Sequence, residues 1–128
     1  MELREPVILI VEDEALIALD LAAMLEDEGG VRVEVAGTVA EALAAIERAR
    51  PQAATLDFNL GAEHSGAVAR RLHALGVPFV VLSGNPERAR AALRGLPREV
   101  LDKPALPEVF LRALRACRTG RPLVRPTA

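Results

Sequence analysis

Five polar residues stand where short apolar runs stop. Val7–Val11 ends on Glu12-Asp13, Ala53–Leu56 ends on Asp57, Phe79–Leu82 ends on Ser83-Gly84, and Val100-Leu101 ends on Asp102-Lys103-Pro104. Each residue alone has an ordinary reading. Glu12 and Asp13 can cap a following helix, Asp57 a helix or turn, and Ser83 can be a turn residue. Gathered in one place, they make a chemical set. Three carboxylates held together repel one another, by roughly 4 kcal/mol per pair at ~4 Å and an effective dielectric of 20. Such a cluster calls for a proton, a cation or a lysine. All-oxygen donors suit Mg²⁺: Asp13 and Asp57 can ligate directly, and Asn59 can add its backbone carbonyl. With a metal ion and Lys103 to neutralise its oxygens and the Ser83 hydroxyl to donate a hydrogen bond, the set fits a phosphoryl group. A carboxylate can itself be the nucleophile and form an acyl phosphate.

The elements that must bring these residues together are legible in the hydrophobic pattern. Val7-Ile8-Leu9-Ile10-Val11 is too short for a helix and suits a strand covered on both faces. Ile17, Leu21, Met24 and Leu25 then repeat on one helical face, and Gly29-Gly30 stops the helix. Val31 to Ala36 alternates apolar with Arg32 and Glu34, as in an edge strand. Thr38 and Glu41 have capping-box spacing, and Val39, Leu43 and Ile46 form the stripe of the second helix. Ala53–Leu56 is the third strand, followed by a long loop of small residues (Asn59, Gly61, Ser65, Gly66). Val68, Leu72 and Leu75 mark the third helix. Phe79–Leu82 is the fourth strand, and Asn85-Pro86 is an N-cap and first helical residue for a helix faced by Ala89, Leu93 and Leu96. A brief fifth strand at Val100-Leu101 leads to a helix striped by Leu106, Val109, Phe110, Ala113, Leu114 and Cys117.

Five strand–helix units predict an α/β fold: a (βα)5 doubly wound parallel sheet of the flavodoxin-like kind, strand order 2-1-3-4-5. In a parallel sheet all strand ends of one sense open on one edge, where ligands bind. That edge gathers Glu12, Asp13, Asp57, Ser83 and Lys103.

Length and composition bound the rest. At 128 residues the chain is one domain, expected over 1–118, with a disordered tail over 119–128 that contains Gly120, Pro122 and Pro126. Apolar residues make up 51%, with no Trp or Tyr, so the core is aliphatic. A formal charge of −2 gives no argument for nucleic-acid binding. Cys117 is the single cysteine, which excludes an internal disulfide. No run is long enough to span a bilayer, and Met1 to Pro6 lacks a signal-peptide core, so a soluble cytoplasmic protein without membrane association is expected.

The marks Glu12-Asp13, Asp57, Ser83-Gly84 and Lys103-Pro104, each after its own strand, resemble a receiver domain of bacterial two-component response regulators, over residues 6 to 118. Leu56-Asp57-Phe58-Asn59-Leu60-Gly61 with Pro78-Phe79-Val80-Val81-Leu82-Ser83-Gly84 is similar to the single-domain "FAT GUY" receivers. The resemblance implies that Asp57 accepts phosphate from a histidine kinase or histidine phosphotransferase. It implies Mg²⁺ held by Asp13, Asp57 and Asn59, with Glu12 helping through water. Ser83 and Lys103 would meet the phosphoryl oxygens, joined by the backbone N–H groups of Phe58 and Gly84, and Lys103-Pro104 would be a cis peptide. Catalysis would be limited to phosphotransfer onto itself and slow autodephosphorylation. With no output domain, a downstream protein partner or drainage of a kinase's phosphate would complete the signal. The chain departs from the family in two places: Val100 stands where most receivers carry a switch aromatic, and the loop after Asp57 lacks the usual proline and is one residue longer.

Two other functions would share part of this residue set. A haloacid-dehalogenase-like phosphohydrolase is imitated by Asp57-Phe58-Asn59, but its motif ends the first strand of the core, and no cap domain fits here. A pseudo-receiver that ignores phosphate would not need the complete acidic pair, Asp57 and Lys103. His64 is expected to face solvent in its loop, although a proton shuttle or metal ligand is its chemical alternative. His73 is expected to be structural, Cys117 core, and the Arg88 to Arg94 segment a solvated helix face.

Overall fold

The computed structural model describes residues 5–119. Strands β1 (Val7–Val11), β2 (Arg32–Ala36), β3 (Ala53–Asp57), β6 (Phe79–Ser83) and β7 (Glu99–Asp102) form one sheet, order β2-β1-β3-β6-β7. Every pairing in it is parallel. Counting only these strands, the order is the expected 2-1-3-4-5. Helices α1 (Ala15–Glu28) and α5 (Pro107–Thr119) cover one face, and α2 (Val39–Ala49), α3 (Gly66–Ala74) and α4 (Pro86–Leu93) the other.

The continuous apolar runs follow from this double cover. Leu9 and Val11 enter the core under α2 and α3, while Ile8 and Ile10 enter the core with Leu21, Phe110 and Leu114. Successive side chains point to opposite faces, so a strand buried on both sides has no polar positions. The edge strand β2 is only partly covered, as its alternation predicts. Its two valines are not equivalent, however: Val33 is half-buried and Val35 is exposed, while Val31, just before the strand, is buried.

The helix stripes are shifted from the expected ones. In α1, Ala18 and Ala22 join Leu21 and Leu25 in the core, while Ile17 and Met24 are half-buried. In α2, Ala42 and Ala45 join Ile46, and Val39 and Leu43 are half-buried. Alanine lets a helix approach the sheet closely, which moves the larger side chains to the flanks. Leu106 lies outside α5 and is exposed, although Phe110, Ala113, Leu114 and Cys117 are buried as expected. Cys117 is a free thiol, its pKa pushed by burial to about 11. The predicted caps form: Glu41 N–H donates to Thr38 Oγ1 (3.1 Å), and Arg88 N–H donates to Asn85 Oδ1 (3.2 Å).

The loop after Asp57 contains a small hairpin, β4 (Asn59–Leu60) and β5 (Glu63–His64), that the small-residue composition concealed. Gly61 opens its two-residue turn with φ +60, the first-position glycine of a type II′ turn, whose twist matches the flanking strands. α5 continues through Thr119, one residue into the expected tail; the rest of that tail lies outside the described residues. No described helix is long and apolar enough to cross a membrane.

Candidate phosphoacceptor site

The chain leaves β1 toward β2 on one side and returns to β3 on the other, so the carboxyl ends of β1 and β3 flank the point where the winding reverses. Ligand crevices form at such points. Glu12 follows β1, and its N–H donates to Ala36 O (2.9 Å), which extends the ladder and holds the residue inward. Its carboxylate is buried (2% exposed). Oε2 accepts the Glu14 N–H (3.1 Å) just before α1, while Oε1 is buried without a hydrogen bond. Glu12 thus supports the helix start and still presents a free oxygen. Asp13 is exposed at the rim.

Asp57 ends β3 and is 5% exposed. Its Oδ2 accepts from Lys103 Nζ at 2.7 Å, and its Oδ1 accepts from Asn59 N–H at 3.3 Å. Lys103 Nζ lies 3.8 Å from Glu12 Oε1. Lys103 is placed by its own N–H, which donates to Ser83 O (3.0 Å), and the Lys103-Pro104 peptide is cis. Ser83 ends β6, buried at 2%, and its Oγ accepts from Asn85 N–H at 3.0 Å. Its hydroxyl proton is therefore left to donate elsewhere.

The structure brings Glu12, Asp13 and Asp57 together: one carboxylate oxygen from each lies within 4.8 Å of the others. Burial raises the Glu12 pKa from 4.5 to about 7, with the Asp57 charge adding to it against the Glu14 N–H and Lys103. For Lys103, burial acts to lower the pKa, but the hydrogen bond and charge of Asp57, helped by Glu12, outweigh it and hold the ammonium above its usual value. One ammonium does not balance three carboxylates. A buried, unbonded Glu12 oxygen beside two further carboxylates is a donor set that a hard divalent cation fits.

Of the two amides that follow Asp57, that of Asn59 and not that of Phe58 bonds its carboxylate. The Phe58 N–H donates to Leu82 O (3.0 Å), continuing the β3–β6 ladder, so it is spent on the sheet. The amide that faces the acceptor carboxylate is that of Asn59. The hairpin explains why. Ser65 N–H donates to Phe58 O (2.9 Å), making that pair hydrogen-bonded. Antiparallel pairs alternate, so Asn59–His64 is the pair without hydrogen bonds. Both the N–H and the C=O of Asn59 thus turn away from β5, on the side of Asp57. Gly84 is exposed, and a Cβ there would meet no atom within 4 Å.

Two features beyond the sequence reading border the site. A groove of about 450 Å³ runs between α1 and the segment after β7, lined by Ile17, Leu21, Met24, Leu82, Pro104 and Ala105, with Lys103 reaching it from the site. The half-burial of Ile17, which the helical stripe assigned to the core, reflects its place in this groove. On the opposite side, Arg90 of α4 donates to the carbonyl of Val100 on β7 (3.2 Å). Arg88 and Arg94 are exposed as expected, but Arg90 ties its helix to the strand.

The family model of the response regulator receiver domain matches residues 8–115. The chain belongs to the response regulator receiver domains. This receiver domain is 39% identical over 103 residues to the phyllosphere-induced regulator PhyR of Methylorubrum extorquens. That match covers 78% of the chain and 39% of PhyR, so the chain spans about two fifths of the length of this curated relative. Among solved structures it is similar to a CheY-like response regulator receiver domain protein of Methanospirillum hungatei (26% identity, TM-score 0.82, covering 91% of this chain and 96% of that one). It is also similar to the non-phosphorylated HemR receiver domain of Leptospira biflexa (28% identity, TM-score 0.77, covering 96% and 99%). The family is one of phosphoacceptor signalling domains. The hydrolase alternative finds no support, because Asp57 ends the third strand of the chain.

Proposed function

We propose that this receiver domain, residues 1–118, accepts a phosphoryl group on Asp57 from a phosphohistidine of a histidine kinase or histidine phosphotransferase. The observation that carries this is the buried Asp57 carboxylate at the end of β3, held by Lys103 at 2.7 Å and grouped with Glu12 and Asp13. The donor's P–N bond breaks, an Asp57 Oδ–P bond forms, and the leaving imidazole nitrogen keeps the electron pair and takes a proton from solvent. Asp13, Asp57 and the Asn59 carbonyl would hold Mg²⁺, with Glu12 behind a water; the bound ion supplies charge neutralisation to the transferring oxygens. Lys103 neutralises a further oxygen. The Ser83 hydroxyl donates to another, and the Asn59 N–H, already turned to Asp57, is placed to do the same. Slow hydrolysis of the acyl phosphate by water returns the domain to its starting state. Such a donor belongs to the cytoplasm.

The groove beside α1 is the surface we assign to the donor protein. Leu16 and Leu19 stand 79% and 63% exposed on α1, and Leu106 is 62% exposed beyond Pro104. An apolar rim next to the acceptor suits a helical partner. Charged residues introduced at Leu16, Leu19 or Leu106 are expected to slow transfer from the kinase and leave labelling by acetyl phosphate unchanged. Equal slowing of both would refute this assignment.

Output toward a downstream protein runs through α4. Ser83 Oγ is bonded to the N–H of Asn85, and Asn85 caps α4. A phosphoryl group that draws the Ser83 hydroxyl inward therefore pulls on the helix start. Val100 offers no ring to turn, but Arg90 connects α4 to its carbonyl. The change is carried by the packing of the segment Ser83 to Leu93 against β7.

The test of acceptance is labelling by candidate kinases with labelled ATP. A base-labile label on the wild type that is lost in a folded Asp57→Asn protein is expected. Full labelling of that variant would overturn the proposal.

A further inference from the structure

His64 is exposed, yet its imidazole is held by two contacts. The ring stacks on Phe58, centroids 5.8 Å apart with planes 10° from parallel. Nδ1 accepts the N–H of Gly66 at 3.1 Å, which leaves the ring proton on Nε2. The ring also occupies the space where any other residue at 66 would place its Cβ, which would stand 2.9 Å from His64 Cε1 and 3.0 Å from Nδ1. A side chain at the first position of α3 would therefore push the imidazole aside, whereas glycine leaves it room to approach. Among the described residues no other ring stack crosses the hairpin. A two-residue-per-strand hairpin is marginal on its own; here the Ser65–Phe58 hydrogen bond and the burial of Phe58 and Leu60 in the core add to the β4–β5 pairing.

Across the hairpin, His64 stands opposite Asn59. Asn59 is the residue whose N–H reaches Asp57 Oδ1, and whose carbonyl shares that side. At the turn, a Cβ on Gly61 would lie 3.9 Å from Asp13 Oδ2, so the hairpin borders the acidic cluster at its tip as well.

We infer that His64 is a positioning residue of the phosphoacceptor site: its stack on Phe58 and its bond from Gly66 pin the hairpin so that Asn59 presents its N–H and C=O to Asp57. The inference rests on the phosphoacceptor reading for its purpose, but the clamp has its own readouts. His64 acts through Asn59 and touches neither phosphate nor metal.

Four variants separate the contacts. His64→Ala removes both. His64→Asn keeps an acceptor for the Gly66 N–H without the ring, and His64→Phe keeps a ring for the stack without the acceptor. Gly66→Ala leaves His64 in place but displaces its ring; alanine is the better helix former, so α3 itself gains. The probes are Mg²⁺ alone, amide exchange of residues 58–66, and the rate of labelling by acetyl phosphate. At the ordinary size of a ring stack and a hydrogen bond, His64→Ala is expected to raise the Mg²⁺ half-saturation concentration roughly tenfold. It is expected to slow labelling by a similar factor and to speed exchange across the hairpin, with little change in the sheet. His64→Asn and His64→Phe should fall between it and the wild type, and Gly66→Ala should resemble His64→Ala without a lower melting temperature. Wild-type Mg²⁺ binding and exchange in His64→Ala would overturn the clamp. So would His64→Asn and His64→Phe both as impaired as His64→Ala, since that pattern belongs to a direct ligand. A wild type that takes no label on Asp57 would refute the phosphoacceptor reading, and the exchange comparison would still decide the clamp.

Discussion

Two loops leave the sheet beside the same site and are built in opposite ways. The one after β3 folds back as a hairpin, closed by the Ser65–Phe58 hydrogen bond, the His64–Phe58 stack and the bond from Gly66 N–H to His64. The one after β6 is a short turn at Ser83-Gly84-Asn85, with Gly84 exposed and open space around it. The bond within the turn runs from the Asn85 N–H to Ser83 Oγ, and that oxygen belongs to the residue expected to meet the phosphoryl group. The difference teaches where each job lies. The first loop is over-determined and holds the amide and carbonyl of Asn59 in place. The second is held by a bond that the reaction itself can disturb, and it leads directly into α4.

The largest effect tests the premise shared by both loops: loss of all label in Asp57→Asn, read by autoradiography on a protein of unchanged circular dichroism. If label persists, neither loop serves a phosphoacceptor and the comparison has no meaning.

The comparison itself is broken or kept by amide exchange with and without beryllofluoride, which imitates the acyl phosphate. Protection is expected to change most across Ser83 to Leu93, with residues 59–64 quiet. Arg90→Ala, which frees α4 from the Val100 carbonyl, should already speed exchange of α4 in the absence of beryllofluoride. A strong response of the hairpin with α4 unaffected would reverse the roles assigned to the two loops.

Mg²⁺ sharpens the first half. A ligand that binds only the folded state at tenfold its Kd adds about 1.4 kcal/mol, so millimolar Mg²⁺ should raise the melting temperature. The pH dependence follows from Glu12, whose pKa is raised by burial from 4.5 to about 7. In the folded state its proton is held after the unfolded chain has released it. Stability from this group is therefore present in full below about pH 4.5 and lost as pH rises through about 7. Mg²⁺ competes with that proton, so the Mg²⁺-dependent rise should be larger at pH 8 than at pH 5. Thermal melts at both pH values check the sign. Equal rises would remove Glu12 from the metal's surroundings.

The smallest effects contrast the two glycines. Gly61 sits at φ +60, where an alanine costs about 1 kcal/mol. A Cβ on Gly84 meets nothing, so Gly84→Ala is expected within about 0.5 kcal/mol of the wild type. Denaturant unfolding of the two variants measures the gap. Equal destabilisation would show that the second loop is as constrained as the first.

Much of this was legible in the chain because it rests on periodicity. A fully apolar five-residue run such as Val7–Val11 has no solvent face to offer, so it demands a doubly covered strand. Five such units dictate a parallel sheet whose carboxyl ends share one edge. Glu12, Asp13, Asp57, Ser83 and Lys103 were therefore identifiable as neighbours, and the caps at Thr38 and Asn85 formed where their spacing placed them. The hairpin was not legible as composition, although Gly61-Ala62 between two short polar-apolar pairs carries the signal of a type II′ turn.

The order of elements, the edge on which the site lies and the residue types that meet there are written in the local pattern of the chain. Those follow from side-chain period and from the one-way winding of parallel strands. Packing between elements set which amide faces Asp57, since Phe58 N–H is consumed by Leu82 on a strand distant in sequence. It likewise decided that Ala18 and Ala22 rather than Ile17 and Met24 meet the sheet, that Arg90 grips Val100, and that His64 lies flat on Phe58. Each of these depends on how closely two elements approach, and that distance is set by all the side chains between them at once, not by any local pattern.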